Sequence, residues 1–181
     1  MFHLTNHEVW AITATHDGRR GAQIATWVVP GSLATGVTRA VLVLSPGNFT
    51  CGLVTASGRL VLQLLAADQL DLLVGLGLHS GRDRDKLAGM DLGVSPSGLP
   101  ILPGTCGWAE MVVVDRMDGG DRIVLLADAV AQGPGPGRVP MHRADAFARL
   151  PPDARDALVE KKVRDGVRDR ALIRNLAGAL D

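Results

Sequence analysis

The sequence predicts a mainly β fold, a barrel or sandwich with short helices between strands and a helical C-terminal segment. Short β-branched and leucine-rich runs recur between glycine and proline turns, as expected of such folds. Asp118-Gly119-Gly120-Asp121 separates two of these runs with residues that tolerate positive φ, a hairpin signal. Beyond the Gly133–Gly137 stretch, GPGPG, the composition changes, and from Pro152 the chain is charged with helical periodicity.

Taken in order, the predicted strands are Val9–Thr15, Gln23–Val29, Ala40–Leu44, Leu60–Leu65, Trp108–Met117 and Arg122–Val130. One helix is predicted from Thr50, a hydroxyl suited to an N-cap, to the break at Ser57-Gly58. A second starts near Asp68 and carries Leu70, Leu73 and Val74 on one face. GPGPG cannot sustain a helix or a central strand and marks the end of the sheet. The organisation expected is a barrel domain over residues 1–137 and a helical extension over 138–181. The extension's stripe of Leu158, Val159, Val163 and Val167, continued by Ile173, Leu176 and Leu180, would pack on the barrel or on a partner subunit, with Gly166 a point of interruption.

Size and charge narrow the function. A chain of 181 residues is long enough for one well-cored domain. Its formal net charge of zero argues against broad attraction to nucleic acid or an anionic membrane. The apolar runs fall short of a membrane span and the first residues lack a secretory pattern, so a cytoplasmic protein is expected. Cys51 and Cys106 form no framework and read as two buried thiols. With no tyrosine in the chain, Trp10, Trp27 and Trp108 carry unusual weight as packing or stacking groups.

The chemistry concentrates in three places. After a charged turn, a small-residue loop holding Gly21, Ala22, Gln23, Ala25 and Thr26 leads to Trp27. Small residues there let a flat ligand approach main-chain N–H groups. SPGNFT, with Ser45, Asn48 and Thr50, adds hydroxyls at a predicted helix start, where free N–H groups favour an anion. HSGRDRDK adds Ser80, Arg82 and Lys86, cations able to neutralise a phosphate, although the same cations could simply pair with Asp83 and Asp85 on a solvated turn. Together these suggest a cradle for an anionic, planar ligand. Other groupings are weaker. His3, His7 and Glu8 have metal-ligand spacing but sit at a terminus, and no metal is expected. Gly75-x-Gly77 lacks the third glycine of a dinucleotide loop.

In order and spacing, VWAITATHDG, GAQIATW, AVLVLSPGNFTCGLVTASG, RLVLQLLAADQ, SGRDRDKL, GWAEMVVVD and GGDRIVLLADAV resemble the flavin reductase-like family, the FMN-binding split β-barrels. The ATWV ending is similar to that of the flavin reductase-like module of diflavin flavoproteins. The resemblance implies an FMN-binding split β-barrel and a homodimer, with FMN held by Gln23, Ile24, Ala25, Thr26, Ser45, Asn48, Thr50, Ser80, Arg82 and Lys86. It also implies an oxidoreductase drawing on NADH or NADPH and delivering electrons to free flavin, oxygen or a protein acceptor. The chain departs from the family pattern at several points. The loop asparagine falls on Gly21 and its threonine on Ile24, the proline pair after the second strand becomes Thr38-Arg39, and the nicotinamide-side histidine becomes Arg122. His79 is the candidate to replace that histidine. Two alternatives follow: an FMN electron carrier served by a protein partner, and a non-catalytic dimeric split-barrel scaffold.

Overall fold

The computed structural model describes residues 4–173. Its strands are β1 (Trp10–His16), β2 (Arg19–Ala25), β3 (Val28–Pro30), β4 (Arg39–Leu44), β5 (Arg59–Leu64), β6 (Gly93–Val94), β7 (Pro100–Ile101), β8 (Gly107–Asp118) and β9 (Ile123–Pro134). The helices are α1 (Phe49–Ser57), α2 (Leu70–Leu78), α3 (Arg143–Arg149) and α4 (Pro152–Arg170). Seven strands form one antiparallel sheet in the order β2-β1-β5-β8-β9-β4-β3, and β6 pairs with β7 alone.

That order dictates curvature. The two edges of the sheet, β2 and β3, are separated in the chain only by Thr26 and Trp27. A flat seven-stranded sheet would hold its edges far apart, so the sheet must curl until they meet. The result is a split barrel whose seam lies at Ala25–Val28. Trp27 still contributes there, its carbonyl accepting a hydrogen bond from Val43 N–H at 3.0 Å.

The local chemistry explains most elements. Asp17 (φ 48°) and Gly18 (φ 70°) form the two-residue turn between β1 and β2, and positive φ at both is the geometry that matches strand twist. The β8–β9 hairpin turns at the predicted Asp118–Asp121, where Gly120 adopts φ 91° and its N–H meets Asp118 Oδ1 at 2.8 Å. Helix α1 ends on left-handed Gly58. Helix α4 begins on Pro152, whose missing N–H costs nothing at that position.

The curled sheet is buried on both faces. Inside it, Ile12, Leu42, Val54, Leu60, Met111 and Leu125 pack with α1 as a plug. Outside, Ala11, Ala22, Leu65, Leu73, Leu76 and Met141 pack under α2 and α3. Strand β1 alternates between the two, with Ile12 and Ala14 inward and Ala11 outward.

Several expectations are corrected. Gly21–Ala25 is not a loop: these residues lie within β2 and pair with Ala14–Trp10. The predicted strand Gln23–Val29 is two strands on opposite edges of the sheet. Asn48, not Thr50, is the N-cap of α1, and Thr50 lies buried in its first turn. The sheet does end within GPGPG, but Gly133 and Pro134 still pair with Trp108 and Gly107. Gly166 does not interrupt α4. Cys51 is buried as expected, whereas Cys106 is only partly so. Helix α4 lies against α2 of its own chain through Leu158, leaving Val159, Val163 and Val167 exposed; Leu176 and Leu180 fall outside the described residues. Among the described residues no helix is long and apolar enough to cross a membrane.

Candidate functional site

The seam opens into a cavity of about 800 Å³. Four segments wall it. The end of β2 and the seam contribute Gln23, Ile24, Ala25, Thr26 and Trp27; the β4–α1 turn contributes Ser45, Gly47, Asn48, Phe49 and Thr50; the loop after α2 contributes His79, Ser80, Gly81, Arg82 and Lys86; and α4 forms the remaining side. Every sequence-predicted site residue, with His79 and Arg122, therefore borders one cavity.

The β4–α1 turn is shaped by its own hydroxyl. Ser45 Oγ accepts from Gly47 N–H at 3.3 Å, and Ser45 O accepts from Asn48 N–H at 3.0 Å. The turn brings the start of α1, Asn48, Phe49 and Thr50, to the cavity wall. The Asn48 side chain does not cap this helix and its first turn holds no acidic residue, so the positive end is left for a ligand.

The loop after α2 is tied down by main-chain contacts. Ser80 Oγ accepts from Arg82 N–H at 3.1 Å, and Arg82 Nη1 donates to Gly47 O at 2.7 Å, joining the two turns. Lys86 Nζ donates to Leu76 O at 2.8 Å. Neither cation pairs with Asp83 or Asp85; Asp85 is held instead by Arg20 at 2.8 Å. Burial, with the nearby charges of Lys161 and Arg84, pulls the Lys86 ammonium down to about 8. A half-buried ammonium with only a carbonyl for partner suits an incoming anion.

Phe49 explains two glycines. A Cβ on Gly81 would lie 2.4 Å from Phe49 Cδ1, so this loop rests directly on the ring. A Cβ on Gly21 would sit 3.0 Å from Thr50 Oγ1 and 3.1 Å from Phe49 Cδ1, so a side chain there, such as the asparagine of the family pattern, would require both to give way slightly.

The α4 wall is the part the sequence did not reveal. Lys161, Asp165, Arg168 and Asp169 recur on one helical face and line the cavity. Asp169 is 3% exposed and joins Arg122 Nη1 at 2.6 Å to Arg168 Nη2 at 2.6 Å. Burial opposes its ionisation, but the hydrogen bonds from Arg122 and Arg168 outweigh that and hold the carboxyl below its usual range. Arg122 also lies over the Trp27 ring, 5.5 Å from its centroid. The signal available in the sequence was the i, i+4, i+7, i+8 spacing of these charges, which reads equally as a solvated face. Over the whole wall, lysines and arginines outnumber carboxylates. The His7 ring, from the metal-like cluster, meets the Thr5 hydroxyl at 2.7 Å, while His3 lies outside the described residues.

A split antiparallel barrel with a cationic ligand cavity at its seam defines a class of small ligand-binding β-barrels. Residues 2–141 match the flavin reductase like domain, and the chain belongs to that family. Among relatives, it is 33% identical over 73 residues to the reductase subunit of a flavin-dependent monooxygenase from Mycobacterium tuberculosis, covering 40% of this chain and 37% of that one. It is 27% identical over 131 residues to the high molecular weight rubredoxin of Moorella thermoacetica, covering 68% and 54%. The chain thus spans about half or less of these relatives. An NADH:FAD oxidoreductase from Streptomyces globisporus superposes with a TM-score of 0.71 at 18% identity, over 80% of this chain and 86% of that one. An FMN-binding protein from Thermus thermophilus gives 0.67 at 24%, over 74% of each. These structural likenesses establish the fold.

Proposed function

We propose that the chain is an FMN-binding oxidoreductase of the flavin reductase type, moving electrons from NADH or NADPH through FMN to free flavin, oxygen or a protein acceptor. The observation that carries this is the seam cavity, lined by more cations than carboxylates and by Gln23, whose buried amide has no partner among the described residues. An uncapped α1 N-terminus and the half-buried Lys86 ammonium suit a phosphate. The Ala25–Thr26 main chain at the seam suits the edge of a flat ring. The volume lies within the range of about 300–1,000 Å³ usual for small-molecule sites.

FMN when bound would supply the hydride and electron chemistry. The chain's own work is to orient and to exclude water. Thr50, Asn48 and the α1 amides would fix the phosphate end, with Arg82 and Lys86 neutralising it. Ser45 and Ser80 would border the ribityl chain, and Ala25 and Thr26 the ring. His79, exposed at the end of α2, and Arg122 flank the side open to a nicotinamide. A homodimer is part of the proposal, with the exposed valines of α4 as its candidate surface.

One observation favours a second reading, an FMN electron carrier fed by a protein. Arg122 Nη1 is engaged by Asp169 and the guanidinium lies over Trp27, so part of its donor capacity is already used within the protein. The relatives that work as a reductase subunit, or carry a rubredoxin name, fit either reading. An absorption spectrum of the purified protein with FMN, followed by anaerobic NADH or NADPH, separates them. Flavin bands that bleach identify a reductase, flavin bands that persist identify the carrier, and no retained flavin overturns both.

A further inference from the structure

We propose that the Gln23 side chain reads the imide edge of the bound isoalloxazine and so sets which flavins this site accepts. The inference rests on the flavin reading of the cavity. Gln23 is 5% exposed, and both Nε2 and Oε1 are buried without a hydrogen-bond partner among the described residues. Its residue borders the cavity, although neither amide atom is open to it, so meeting a ligand requires the side chain to turn. Leaving a buried amide unsatisfied is costly, and both of its polar atoms are affected here.

The chemistry of the missing partner follows from the amide itself. The α1 N–H groups and the Arg82 and Lys86 cations of the same cavity wall only donate, and they match a phosphate, which only accepts. An amide with both atoms free needs a neighbour that accepts and donates side by side in one plane. The flavin imide, an N–H flanked by carbonyls, is such an edge. A phosphate is not, and ribityl hydroxyls rotate freely, so they need no rigid planar counterpart. Position supports the match. Gln23 and Ala25 are two residues apart on β2 and share the inner face of the sheet, which places the amide one step from the proposed ring contact. In the family's loop pattern Gln23 occupies the variable position, so its amide is a feature of this chain.

The test compares wild type with Gln23→Met, an apolar side chain of matching length, and with Gln23→Leu should Met fold poorly. Lumiflavin, 3-methyllumiflavin and riboflavin are titrated by fluorescence quenching, and the flavin-free proteins are melted. Wild type should favour lumiflavin over its 3-methyl derivative. The variant should bind lumiflavin about tenfold more weakly and lose that preference, yet melt at a higher temperature without flavin. Unchanged lumiflavin affinity, or a loss confined to riboflavin, overturns the assignment while flavin binding stands. A lower melting temperature also overturns it, because the amide would then be satisfied internally, for example through a water shared with Trp10 Nε1. Failure of wild type to bind any of the three removes the flavin reading itself.

Discussion

Gln23 and Gln63 are buried amides on the two strands that flank β1, and they face opposite sides of the sheet. Gln63, on the outer side, is fully used: Nε2 donates to Thr13 Oγ1 at 3.1 Å, and Oε1 accepts from Leu102 N–H. Thr13 in turn donates to Pro100 O, so this one network fastens the β6–β7 segment to the sheet. The Gln23 amide, beside the seam, has no hydrogen-bond partner among the described residues. The same residue type is a rivet in one place and an open socket in the other, and hydrogen-bond accounting distinguishes them where burial does not.

The largest effect expected is at Gln63. Gln63→Met strands the Leu102 N–H and removes the donor to Thr13 Oγ1, whose own bond to Pro100 O remains, and should cost about 2–3 kcal/mol, seen in a melt as a fall of roughly 5–10 °C. Gln23→Met should move the other way, and a matching loss at both positions would dissolve the contrast. Asp169 sharpens it from the site side, since it borders the cavity yet is internally paired. Asp169→Ala should therefore behave like Gln63, losing about 1–2 kcal/mol after allowance for the partly exposed arginines; proteolysis between α2 and α4 would report it as faster cleavage of α4.

Lys86 belongs with Gln23. Thr50→Ala combined with Lys86→Ala should weaken FMN about tenfold and riboflavin much less, by equilibrium titration; equal losses would remove the phosphate from this end. The remaining effect is on pH. Lys86 is lowered in the folded chain to about 8 from 10.5, so between those values the unfolded chain holds a proton the folded one lacks. Stability of the flavin-free protein should rise with pH through that window. FMN affinity should fall over the same range as the ammonium is lost, and Lys86→Met should flatten both trends.

Much of this was legible in the sequence, for identifiable reasons. The β8–β9 hairpin and the end of α1 follow from Asp118–Asp121 and Gly58, where local backbone demands select the residue. The residues around the cavity follow from small and hydroxylic types clustered at turns. What stayed hidden depends on distant pairing. Gln23–Val29 reads as one strand because nothing local says that Ala25 pairs toward β1 while Val28 pairs with Leu42 of β4. Helix α3 and the two-residue strands β6 and β7 are too short to show a period. The charged face of α4 resembled a solvated surface because Arg122, the long-range partner of Asp169, lies 47 residues away in the chain. Gln23 itself was placed at the site, but as backbone; only the finished fold reveals that its amide is unanswered.

The seam has one more consequence, for behaviour at high concentration. Exposed sheet edges are templates on which other chains can grow by strand addition. Here the two edges are chain neighbours folded toward each other, β3 is only three residues long, and Pro30 at its end has no N–H to offer a newcomer. The opening at the seam, proposed above as the flavin site, is thus also a poor nucleus for aggregation.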